Sequence, residues 1–182
     1  MQNNYDINSS SPISNNILNL ITTKEQEEQN KYYKLIDNYE RLVKSNVDNL
    51  KRMLNTETNK SVIIYNFGLV IELFLKMILL KLNILSIEEI GESSHNISNM
   101  FKEIIEKCNN SQIKEMCQHI KERAALIKQN NNSSKKINYN DYIDFRYNHP
   151  KGKLDLIFTD DIDKNDIKHI KEVLGCIELI MK

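Results

Sequence analysis

Apolar residues recur at three- and four-residue steps along most of the chain, which is the period of a helix with one buried face. From about Glu25 to Leu54 the repeat runs through Tyr32, Leu35, Ile36, Tyr39, Leu42 and Val43 to Leu50, Met53 and Leu54. It predicts one long amphipathic helix, ended by the polar run Asn55–Lys60. Val62 to Leu82 is different, being apolar nearly all round, and so predicts a helix covered on several sides. Asn96 is placed to cap a further helix carrying Ile97, Met100, Phe101, Ile104, Ile105 and Cys108. Another runs from about Gln112 to Gln129, with Ile113, Met116, Cys117, Ile120, Ala124 and Ile127 on one face. A last helix, with Asp163 as its expected cap, carries the stripe Ile167, Ile170, Val173, Leu174, Ile177 and Ile180. Only Leu154–Phe158 offers a short extended piece. The fold expected is all-α, a helical bundle of about five helices around a buried central helix, spanning residues 25–182. Residues 1–24, rich in Asn, Ser and Thr, have the composition of a disordered tail.

Composition narrows the classes. The 182 residues carry 25 basic and 25 acidic side chains, so the formal net charge is zero. A dedicated duplex-DNA binder has a basic excess, because phosphate neutralisation drives its affinity; a nucleic-acid role here needs a local patch. Cys108, Cys117 and Cys176 have neither zinc nor redox spacing and fall at apolar helical positions, as buried thiols in a reducing compartment do. The N-terminus has no basic and apolar signal pattern, and a cytoplasmic protein is expected. Val62–Leu82 is long enough to cross a bilayer, yet Glu72 and Lys76 in its middle would each cost about 2.5–3.5 kcal/mol there, so no membrane partner is expected. Four glycines leave no phosphate loop. Glu115, Cys117 and His119 lack a second ligand pair, so neither a metal nor another cofactor is expected.

The candidate chemistry is sparse. Glu72 and Lys76 are four apart with the acid first, the favourable order for a pair along one helix face; they read either as a solvated rim pair or as support for a site. His95 stands just outside the helix capped by Asn96, where free N–H groups and the dipole favour an anion. Arg146 offers a planar fork for phosphate, Tyr147 or Tyr142 a stacking face, and Lys151 and Lys153 local positive charge. The plainer alternatives are His95 as an ordinary residue at a helix start and Arg146 in an ion pair with Glu72 or another acid.

A buried helix with an acid–lysine step at Glu72 and Lys76, a His95-Asn96-hydrophobic start to the next helix and a late Arg146-Tyr147 element, in that order, resemble the HEPN superfamily (higher eukaryotes and prokaryotes nucleotide-binding domains). The resemblance covers roughly residues 30–180. It implies a helical bundle, often a homodimer, that acts on RNA or nucleotide, as a metal-independent endoribonuclease or toxin-type effector in toxin–antitoxin pairs or antiviral defence against phage. On that likeness His95, Arg146 and His149 are the candidate catalytic residues. Arg146, Tyr147 and Lys151 are the candidate RNA- or nucleotide-binding residues, with Glu72, Lys76 and Asn96 in support. Catalytic members carry an Arg followed by four to six residues and then a His. This chain departs from that pattern: only two residues separate Arg146 from His149, and Pro150 follows. Arg123 has no His at suitable distance behind it. The departure bears on cleavage and not on fold, and leaves a second class open, a non-catalytic helical interaction module that binds a protein partner or itself.

Overall fold

The computed structural model describes residues 12–56, 60–92, 96–126 and 164–182. They form six helices: α1 Pro12–Met53, α2 Lys60–Lys81, α3 Ile87–Glu92, α4 Ile97–Lys107, α5 Ser111–Leu126 and α6 Lys164–Ile180. No strand occurs among the described residues, and the fold is all-α, as the periodicity predicts. Residues 1–11, Leu154–Phe158, Asp163 and the expected end of the fourth helix at 127–129 lie outside the described residues.

α1 begins at Pro12 and not near Glu25. Proline suits a first helical position, since its φ is already helical and the N–H it lacks would have no partner there. Ile13, Ile17, Leu20 and Ile21 continue the helical step into a segment whose Asn and Ser content reads as tail. The chain divides into two units, Met1–Leu35 and Ile36–Lys182. In the first, Lys24–Lys31 are all exposed, and Tyr32 and Tyr33 meet edge to face with ring centroids 6.1 Å apart. In the second, α1 buries Ile36, Val43, Val47 and Leu50 at helical steps.

α2 is the most enclosed element. Phe74 to Leu80 are seven consecutive buried residues, nearly two turns, so over that length no face of the helix meets solvent. Val62–Lys81 is long and apolar enough to cross a membrane, and 72% of its most apolar window is buried inside the protein. α3 and α4 pack on α2, α5 on α4, and α6 on α5. Ion pairs join α1 to both ends of this chain of contacts. Glu40 faces Lys81 of α2 at 3.9 Å, and Lys51 pairs with Glu178 of α6. These half-exposed pairs are worth at most about 1 kcal/mol each.

The helix ends follow from local chemistry. α2 stops where Asn83 takes a left-handed conformation (φ 52°). Asn83 N–H then bonds the Leu80 carbonyl at 2.8 Å and Ile84 N–H the Leu79 carbonyl at 2.9 Å, the paired bonds of a left-handed helix stop. α3 opens with a reciprocal box, the Ser86 N–H donating to the Glu89 carboxylate at 2.7 Å and the Glu89 N–H to the Ser86 hydroxyl at 3.2 Å. Asn110 caps α5 by accepting from Ile113 N–H at 3.1 Å.

Cys108 and Cys117 are buried free thiols, and Cys176 is half-buried. Burial, and secondarily the neighbouring Cys108, pushes the Cys117 thiol from an ordinary 9.0 up to about 12. The unfolded chain therefore loses this proton near pH 9 while the folded chain keeps it to about pH 12. Between those values the folded state binds the extra proton, so stability falls as pH rises, by about 1.4 kcal/mol per pH unit. Urea unfolding at pH 8.5, 9.5 and 10.5 is expected to show wild type progressively losing its advantage over Cys117→Ala, at about half that slope across pH 9.0 and near the full slope above pH 9.5. A difference constant with pH would contradict it.

Candidate functional site

Of the residues singled out from the sequence, Glu72, Lys76 and Asn96 fall in described segments. His95, Arg146, Tyr147, His149 and Lys151 lie outside the described residues, as do Tyr142 and Lys153.

The Glu72–Lys76 pair is buried and is not a solvated rim pair. The Lys76 ammonium donates to Glu72 Oε1 at 2.8 Å, with the two side chains 10% and 4% exposed. The acid-first spacing of four brings the groups together on one face of α2, and that face is enclosed with the rest of the helix. Removing two charges from water costs several kcal/mol per ion, which their attraction offsets only with good geometry. A helix selected for stability alone would carry two apolar residues here.

Asn96 caps α4 as its position predicts. Its Oδ1 accepts from the Asn99 N–H at 2.9 Å, which fixes where the helix N-terminus starts relative to α2, its packing partner.

A second polar group, which sequence reading passes over, lies where α5 meets α6. Arg123 of α5 brings its Nε to 3.3 Å from Glu172 Oε2 of α6, and His169 Nδ1, one turn earlier on α6, stands 3.6 Å from the same oxygen. Both atoms are buried and neither has an aligned hydrogen bond, so charge and packing alone hold them together. Cys176 is close by: burial and then Glu172 raise its thiol pKa, while Arg123 opposes them. A raised pKa keeps the thiol in its protonated, less nucleophilic form. Alongside, Lys164, Ile167, Lys168, Lys171 and Glu172 line a shallow, open recess on α6. The helical steps 164, 168, 171 and 169, 172, 176 were visible in the sequence beside the apolar stripe. The approach of Arg123 from another helix was not. Among the described residues no three His, Cys, Asp or Glu side chains are grouped to hold a metal ion.

No protein-family model, no characterised protein and no solved structure matches this chain.

The buried pair makes a direct prediction. Glu72→Ala should cost about 3–5 kcal/mol, because it leaves the buried Lys76 ammonium without Glu72, and Lys76→Ala should destabilise as well, whereas Glu72→Met with Lys76→Met should be neutral or stabilising. Denaturant unfolding of the three variants is the check. Single substitutions costing less than about 1 kcal/mol would place the pair in the solvated class instead.

Proposed function

We propose that the chain is a HEPN-like protein that interacts with RNA or nucleotide, as a ribonuclease or toxin-type effector in bacterial defence against phage. One observation carries the reading: a charged pair, Glu72 and Lys76, buried in the most apolar helix, where stability alone gives no reason for it. It is supported by the Asn96 cap, which sets a helix N-terminus directly after His95.

In this reading the helix N-terminus and Arg146 bind a phosphate, the guanidinium offering its planar fork, and Tyr147 stacks on a base. Lys151 adds attraction for the backbone. His95 or His149 takes the proton of a ribose 2′-OH, and Arg146 stabilises the charge that develops on the phosphate, with no metal required. Glu72 and Lys76 support the site from α2.

The rival, a non-catalytic module that binds a protein or a second copy of itself, has one observation in its favour. Leu42 on α1 and Leu179 on α6 are 48% and 61% exposed. Apolar residues exposed singly are ordinary on protein surfaces, so the first reading is preferred.

Incubation of the purified chain with single-stranded RNA tests it. Wild type should cleave the RNA or bind it. Arg146→Lys should weaken binding although charge is kept, because lysine has no fork, and His95→Ala should weaken it with the fold intact. A wild-type chain that neither cleaves nor binds RNA or nucleotide, and that sediments as a dimer, would transfer the assignment to the interaction module.

A further inference from the structure

One face of α6 is set with lysines. Lys164, Lys168 and Lys171 recur at steps of four and three, so they share one side of the helix and span about 10 Å along its axis. None of the three forms an ion pair with a described residue. Elsewhere in the described residues Lys44, Lys51, Lys76, Lys81 and Lys107 face carboxylates; what sets α6 apart is three lysines on one face beside an open recess. Lys164 opens the helix, where the dipole disfavours a cation. Asp166, the acidic residue of that first turn, is buried on another side of the helix. In a chain of zero net charge, this is a local basic patch whose like charges gain nothing from being neighbours.

The surroundings extend it. The recess between the lysines has Ile167 as its apolar element and Glu172 at its edge. Glu172 holds Arg123 through Nε, which leaves both terminal amino groups of the guanidinium without a partner among the described residues. An open recess of this kind does not enclose a small ligand, as nucleotide pockets do. It suits an extended strand that lies across it, with phosphates on the cations and an apolar contact to Ile167. A membrane surface is a poorer match, because surface-binding helices set large apolar side chains beside their lysines, and this face offers only one half-buried isoleucine.

We propose that Lys164, Lys168, Lys171 and Arg123 form a binding site for the phosphate backbone of a single-stranded nucleic acid, distinct from the segments around His95 and Arg146. The lysine geometry recognises the phosphodiester. That the strand is RNA rests on the function proposed above. Glu172 faces Arg123 and weakens the patch by its own charge.

The test is fluorescence anisotropy of the full chain with labelled oligouridylate and with oligothymidylate, over a range of salt concentrations. Removing three phosphate contacts from a single strand lowers the steepness of log K against log salt by about 2. The variant Lys164→Gln/Lys168→Gln/Lys171→Gln should show that loss, and all three sites are exposed, so its circular dichroism should not change. Glu172→Gln should move affinity the other way, tightening binding. The triple variant keeping wild-type affinity and salt dependence would overturn the site. So would a wild-type chain that ignores both oligomers at low salt, or one whose lysines matter only for capture by phosphatidylserine vesicles. Preference for oligouridylate supports RNA as the strand, and equal binding of both oligomers keeps the backbone site without it. If Arg146→Ala and His95→Ala change nothing while the lysine variant loses its slope, this site stands and the function proposed above fails. The reverse pattern overturns this site alone.

Discussion

Enclosure of α2 is the constraint on which the rest of the structure depends. A helix that is apolar on every side has no face to offer water, so its neighbours must cover it over nearly two full turns at Phe74–Leu80. Amphipathic helices meet that demand. α4 packs on it with Met100, Phe101 and Ile104 buried, and α3 packs on it with Ile90 buried. α5 and α6 then build outward from α4, each with its own stripe, so the polar groups of the outer helices are left for the surface.

Within that enclosure the Glu72–Lys76 pair is the element that packing does not require. Its cost is avoided in most cores by using apolar residues, and its presence restricts α2 to arrangements that keep both charges together. The outer helices show the contrasting case. The Arg123, Glu172 and His169 side chains are part-exposed, although the facing Glu172 Oε2 and His169 Nδ1 atoms are buried. One polar group lies deep and is held by a hydrogen bond; the other lies beside a recess and three lysines that form no ion pair with a described residue. The two are different kinds of polar site, and they have been assigned different roles.

The sequence made the helices legible wherever burial leaves a periodic trace. α2 was readable from a long run that is apolar nearly all round, α4 from Asn96 and the positions after it, and α6 from Ile170, Val173, Leu174 and Ile177. The start of α1 was not, because Asn and Ser between Pro12 and Thr23 lower the apparent helical signal although the apolar step continues. α3 was missed because six residues are too few for a period to show, although Ser86 and Glu89 stand at capping-box spacing. For the candidate site, the burial of Glu72 and Lys76 could not be read from their spacing, which serves a surface pair equally well. The Arg123–Glu172–His169 group was illegible for a different reason: its members come from two helices, and only packing brings them together.

Native-state hydrogen exchange of the α2 amides tests the dependence on this helix most directly. If its enclosure holds the fold together, the amides from Phe67 to Leu80 open only when the whole domain unfolds, and their exchange free energies equal the stability from denaturant unfolding. They should be the slowest in the protein, and Leu75→Ala should lower all of them by one common amount. Exchange from α2 at a free energy below that of α4 or α6 would show that the helix opens while its cover stays folded, and would contradict the account.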